Sequence, residues 1–179
     1  MKQVFGYFWE TVKVVIFALL IVIPIRMFLF SPFIVRGTSM EPSFYEADYL
    51  IVDQLSYRFR EPQRGEVIVF HYPQDPRKRH IKRIIGLPGE DVIIEQEKIF
   101  IADNEERVLL EEDYLPLART FGEEVVSLES DEYFVMGDNR GASFDSRNWG
   151  SLPREEIIGR VFFQISPFNT FARVEAPEY

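Results

Sequence analysis

The chain has no cysteine and only two histidines, His71 and His80, among its 179 residues. Without cysteine there is no disulfide, no thiol nucleophile and no thiolate metal site, and the absence fits any compartment. Two histidines cannot furnish a multi-histidine zinc site, although carboxylates remain for magnesium or calcium. A Ser-His-Asp triad would have to use one of those two. Basic charge is scarce in the body. Residues 1–36 hold Lys2, Lys13, Arg26 and Arg36 against Glu10, whereas the remainder holds 16 basic and 28 acidic residues, net −12. Nucleic-acid binding needs a basic footprint, so nucleic acid is not expected as a partner. What is abundant is apolar: 46 % hydrophobic and 15 % aromatic residues exclude disorder and leave room for one domain with a core plus a short appendage.

The N-terminal apolar run "VVIFALLIVIPI" is only 12 residues, Val14 to Ile25. Alone, it suits a signal-peptide core or a buried helix as well as a membrane span. Lys13 and Arg26, however, sit where long side chains reach the two interfaces, and Phe5, Tyr7, Phe8 and Trp9 form a headgroup-level aromatic cluster. From Phe8 to Phe28 a helix would run about 31 Å, close to a hydrocarbon core. No small-x-small cleavage site precedes a polar start. The expected organisation is a short N-terminal segment (1–7), a transmembrane anchor in the lipid bilayer (8–30) and a β domain (31–179). Lysine and arginine balance across the anchor and leave its orientation open.

After Pro42 the pattern turns to short β-type runs: 48–56, 66–70, 80–86, 91–103, 132–137 and 157–165, punctuated by glycine and proline. No sustained helical period follows residue 40. A mainly β, mostly antiparallel domain is expected. Residues 104–131 are acidic and are expected to form an irregular surface excursion.

Three places could carry chemistry. Ser39 lies in "GTSMEP", where a serine beside glycine and proline ordinarily makes a turn. Lys82 lies in "HIKRIIGLPG", with Ile81, Ile84 and Ile85 around it. It is either an exposed edge-strand lysine or one desolvated among isoleucines. In the second case its pKa falls. A fall of about three pH units costs about 4 kcal/mol, which a folded domain sustains, and the neutral amine can take a serine proton. "GDNRGASFDSR" (Gly137 to Arg147) is the densest polar run, closing an apolar strand where site residues commonly sit, and Asp145 and Arg147 can pair at i, i+2.

Taken in order, the apolar anchor, "GTSMEP", "RGEVIVF", "HIKRIIGLPGE", and "GDNRGASFDSR" followed by "WGSLPREEIIGRV" resemble the type I signal peptidases, membrane-bound Ser-Lys endopeptidases that remove signal peptides from exported preproteins. The resemblance covers roughly residues 12–165. It implies two antiparallel β-sheets preceded by one transmembrane helix, no cofactor and no metal, and preprotein signal peptides as partners, cut after small residues of Ala-x-Ala type. It implies a bacterial-type plasma membrane with the catalytic domain outside, a thylakoid or mitochondrial inner membrane remaining open; oligomeric state is not indicated. Ser39 would be the nucleophile, Lys82 the general base and Ser143 the residue that orients the lysine. Asp138 with Arg83, and Asp145 with Arg147, would be structural ion pairs. The oxyanion hole would use the Ser39 N–H. Some members add a serine hydroxyl two positions earlier, and here Gly37 stands there, so a backbone amide or a water must serve. Phe33, Val35, Met40, Phe44, Leu50 and Ile81 match the shallow substrate pockets, with Phe44 where leucine is usual. Eukaryotic relatives use a histidine in the lysine's place. Here that place is lysine, so His80 is expected at the groove's periphery and His71 on the surface. The alternatives are a self-cleaving Ser-Lys regulator, which would want a DNA-binding domain, and a non-catalytic anchored β-rich interaction domain.

Overall fold

The computed structural model describes residues 7, 9–20, 30–103, 106–115, 120–166 and 170–177. Among the described residues twelve strands form two sheets in which every pairing is antiparallel. The larger contains β1 (Phe30–Ile34), β2 (Tyr49–Asp53), β3 (Val67–Tyr72), β4 (Asp75–Gly86), β9 (Glu132–Met136), β10 (Leu152–Pro153), β11 (Ile157–Ser166) and β12 (Thr170–Arg173). Its order is β1-β2-β11-β3-β4-β9-β10, with β12 on β11. The smaller contains β5 (Asp91–Glu95), β6 (Lys98–Asp103), β7 (Glu106–Leu109) and β8 (Glu124–Ser127), in the order β7-β6-β5-β8. The mainly β, two-sheet architecture is the one expected from the sequence.

Strand alternation partitions the core. Along β3, Val67 and Val69 join Val35, Met40, Phe44, Leu50 and Ile81 in one cluster, while Ile68 and Phe70 join Ile84, Tyr133, Val135 and Leu152 in another. A third cluster joins Ile85, Phe134 and Met136 of the large sheet to Val92, Ile94, Ile99 and Ile101 of the small one. Each such side chain contributes roughly 1.5–3 kcal/mol of burial. These clusters fix β4, the strand that carries Lys82, between β3 and β9. Ile68 lies opposite Lys82, and Met136 lies opposite Arg83.

Two expectations are corrected. The run 91–103 is not one strand but the hairpin β5–β6, turning at Gln96 and Glu97, both at positive φ (49° and 62°). Such turns normally advertise themselves with Asn-Gly or Asp-Gly, so the sequence carried no turn signal. Residues 104–131 are not an irregular excursion either. They supply β7 and β8 and bury Leu110, Glu112, Leu115, Thr120 and Leu128.

At the N-terminus, residues 9–20 are helical, with Val14, Val15, Ile16, Phe17, Leu19 and Leu20 all exposed. Among the described residues no helix is long and apolar enough to cross a membrane. The expected anchor 8–30 extends over residues 21–29, which lie outside the described residues, as do residues 1–6 of the expected cytoplasmic start.

Candidate active site

Ser39 sits in the turn that follows β1. Met40 beside it is fully buried, and its carbonyl accepts the Phe44 N–H at 2.9 Å, so the turn is pinned to the core at the residue next to the hydroxyl. The loop after β9 closes over this turn. The Asn139 N–H donates to the Ser39 carbonyl at 3.0 Å, and Asn139 Nδ2 donates to the Thr38 carbonyl at 3.1 Å. Gly137 makes that approach possible: a Cβ there would lie well inside van der Waals contact of the Ser39 carbonyl oxygen and of Ser143 Oγ. Gly137→Ala is therefore expected to destabilise the fold by about 2–3 kcal/mol and to displace Ser39, lowering kcat. Denaturant melts and steady-state kinetics on the same variant check both effects.

Lys82 lies on β4 with only 4 % of its surface exposed, so the buried alternative holds over the exposed edge lysine. Its Nζ donates to Ser39 Oγ at 2.7 Å and to the Ile81 carbonyl at 2.9 Å. Burial pushes its pKa down to about 8; Asp145 and Asp138 oppose that fall, and Arg147 adds to it.

Two ion pairs brace the site. Arg83 meets Asp138 bidentately, Nε to Oδ1 at 2.9 Å and Nη2 to Oδ2 at 2.6 Å, and its Nη1 donates to the Gly65 carbonyl at 2.9 Å. Arg147 meets Asp145 the same way, at 2.8 and 2.9 Å, and the Gly137 N–H donates to Asp145 Oδ2 at 3.0 Å. Burial works against the Asp145 charge. The hydrogen bonds and charge of Arg147, with the Gly137 amide, outweigh it and hold the carboxyl below its ordinary range. Asp145 also caps the short helix Ser146–Trp149, which fixes the loop's exit.

A third brace escaped the sequence reading. Buried Arg140 donates through Nε to the Gly137 carbonyl at 3.1 Å and through Nη1 to Thr120 Oγ1 and Glu112 Oε2 at 2.6 and 2.7 Å, and its Nη2 also meets Glu112. Arg147 Nη2 donates to the Arg140 carbonyl at 2.8 Å, and the Arg83 guanidinium lies 4.2 Å from the Tyr114 ring centroid. The acidic segment thus grips the loop beside the lysine. Glu112 is one of many carboxylates in its stretch, so no local pattern marked it.

Other expected residues fall elsewhere. Ser143 Oγ is buried, makes no hydrogen bond among the described residues and is not bonded to Lys82. Of the six pocket residues, Phe33 and Ile81 line a groove of about 650 Å³ that runs past Ser39 and Lys82. Val35, Met40, Phe44 and Leu50 are packed in the core cluster behind it. Gly37 (φ +83°) and Thr38 also line the groove, and the Ser39 N–H has no acceptor among the described residues. His80 is at the groove wall, its ring stacked on Tyr72 at 4.9 Å. Burial, then the charges of Lys82 and Lys78, lowers its pKa and favours the neutral ring. His71 Nδ1 lies 2.7 Å from the Pro76 carbonyl at the exposed end of the β3–β4 hairpin.

The family model described as signal peptidase, peptidase S26 matches residues 8–166, which span Ser39, Lys82 and the loop that braces them. The chain belongs to the signal peptidase family. Among its relatives are a probable signal peptidase I-2 of Synechocystis, 37 % identical over 88 % of this chain and 73 % of that protein, and signal peptidase I of Bacillus amyloliquefaciens, 33 % identical over 91 % and 90 %. The crystal structure of a signal peptidase I from Enterococcus faecalis superposes with a TM-score of 0.50 and 31 % identity, covering 57 % of this chain and 97 % of that one. Membership of the signal peptidase family makes the chain a peptidase, and the Ser39 Oγ–Lys82 Nζ contact brings a hydroxyl and a buried amine together in the groove.

Proposed function

We propose that this signal-peptidase-family chain is a membrane-anchored serine endopeptidase that removes N-terminal signal peptides from exported preproteins by a Ser-Lys dyad. One observation carries the reading: a lysine removed from water, with its Nζ 2.7 Å from a serine Oγ on the wall of an open groove. With its pKa lowered, a useful fraction of Lys82 is neutral near pH 8. The neutral amine accepts the Ser39 proton as Oγ attacks the scissile carbonyl, then gives it to the leaving amine. The same amine activates the water that releases the acyl-enzyme. The unpaired Ser39 N–H supports its role as an oxyanion donor, with the Gly37 amide as its neighbour. Ser143 has an unsatisfied hydroxyl close to Asp145, available to accept from the lysine once substrate displaces an existing contact. Phe33 and Ile81 offer apolar surface to small side chains. Val35, Met40, Phe44 and Leu50 act from behind, setting how deep those pockets are. The ion pairs Arg83–Asp138 and Asp145–Arg147 hold the loops.

Exposed apolar side chains along residues 9–20 support an anchor that ends before β1 begins at Phe30, one residue short of the expected bound, and that would hold the catalytic domain on the extracytoplasmic side of a bacterial-type plasma membrane. The test is to incubate the detergent-solubilised full chain with a preprotein carrying one Ala-x-Ala site and to read the product N-termini by mass spectrometry. Cleavage directly after the second alanine is expected. An intact preprotein, or cuts scattered at bulky residues, would refute the reading.

A further inference from the structure

The groove beside the dyad is lined by Arg36, Arg77 and Arg79 as well as Lys82, and by no carboxylate. That is unexpected in a body carrying net charge −12, where carboxylates outnumber cations 28 to 16. Asp75 partly neutralises the hairpin, pairing with Arg77 at 2.8 Å and with Lys78 at 3.5 Å. Arg36 and Arg79 are exposed, and no ion pair engages either among the described residues. His80, between Lys78 and Lys82 on β4, is kept neutral first by burial and then by the charges of Lys82 and Lys78.

We propose that these arginines select preproteins with acidic side chains a few residues from the scissile bond. The inference rests on the peptidase reading above and names its substrate class. Strand geometry sets the distance. Arg79 and Arg77 lie three and five residues before Lys82 on β4. At about 3.3 Å per residue they stand about 10 and 17 Å from the dyad along that strand. A peptide extended beside β4 brings its third to fifth residues from the cut within reach of the two guanidinium groups. The body's overall negative charge does not cancel this. Over about 8–10 Å at physiological salt its distant carboxylates are screened, and the nearest cations dominate. Guanidinium groups add a fork that matches carboxylate oxygens.

Three peptides test the inference, sharing one Ala-x-Ala core cut after its second alanine and carrying paired Glu, Ser or Lys at the third and fifth positions after the cut; a second set of three carries the same pairs at the fourth and fifth positions before it, outside the core. With the full chain in detergent at low salt, kcat/KM for the Glu peptide is expected to exceed that for the Lys peptide about tenfold on at least one side. High salt should shrink that ratio toward one. Combined Arg77→Glu and Arg79→Glu should invert the order, with Arg36→Glu as an independent variant should the pair disturb the hairpin. Equal rates for Glu and Lys on both sides, with the Ser peptide cut normally, would overturn this inference and leave the peptidase reading standing. Failure to cut any of the three would take both down.

Discussion

Replacing Lys82 by methionine is expected to lower kcat/KM by about 10³–10⁴-fold or more while making the fold more stable at neutral pH. The activity loss follows from the dyad: Met keeps the unbranched stem, but its thioether sulfur is far too weak a base to take the Ser39 proton. Because nucleophile and base act as one unit, Ser39→Ala and the double variant should fall to about the same residual rate as Lys82→Met. The stability gain follows from linkage. The lysine's ordinary pKa is 10.5 and its folded value is about 8, so below pH 8 both folded and unfolded chains carry the proton and the fold bears the full burial penalty. As pH rises from about 8 to 10.5 the unfolded chain still holds a proton that the folded one has released, and the penalty disappears. Its size is at most on the order of 3 kcal/mol. The parent should therefore gain stability across that window, and Lys82→Met should show no such rise. Urea melts at pH 7 and pH 10 separate the two. A methionine variant no more stable than the parent at pH 7 would contradict the account of a penalised lysine.

Glu112→Ala is expected to cost about 3–5 kcal/mol, more than a typical point substitution. Glu112 and Arg140 are 4 % and 3 % exposed, so the truncation strands a buried guanidinium with Thr120 and Tyr114 as its remaining side-chain partners. The loss should reach the site, because Arg140 holds the Gly137 carbonyl and receives Arg147. Replacing both partners by apolar residues, Glu112→Leu with Arg140→Met, should be milder than Glu112→Ala alone, since no charge is left unpaired. Chemical denaturation of the three variants measures this. A loss under about 1 kcal/mol for Glu112→Ala would mean that the pair contributes little to the loop.

Much of the architecture was legible because β-type runs and glycine–proline punctuation are local signals. The run Val67–Phe70 is continuously apolar and Ile157–Val161 alternates in burial, and both fell into the central part of the large sheet. The β5–β6 turn was hidden because Gln96 and Glu97 adopt positive φ without glycine or asparagine to announce it. The Asp145–Arg147 contact could be anticipated from spacing, being two residues apart. Arg83–Asp138, 55 residues apart, was implied by the family resemblance and not by spacing, and Arg140–Glu112, 28 residues apart, was not anticipated at all because only the fold brings its partners together. Lys82 was the ambiguous case. Its neighbours were equally those of an edge lysine and of a buried one; β9 pairs with β4 only from Arg83 onward, and the Ser39 turn packed against the Lys82 side chain is what takes it out of water. The pocket set mixed two populations. Apolar residues near a nucleophile read alike whether they line the groove, as Phe33 and Ile81 do, or fill the cluster beneath it.

The central claim is that neutral Lys82 is the base for Ser39, and the pH dependence of kcat/KM on a peptide without titratable side chains tests it most directly. The neutral amine is the active form, so the rate should rise with pH through an inflection near 8 and then level off. A profile still climbing past about pH 10, where an ordinary solvated lysine titrates, would contradict it.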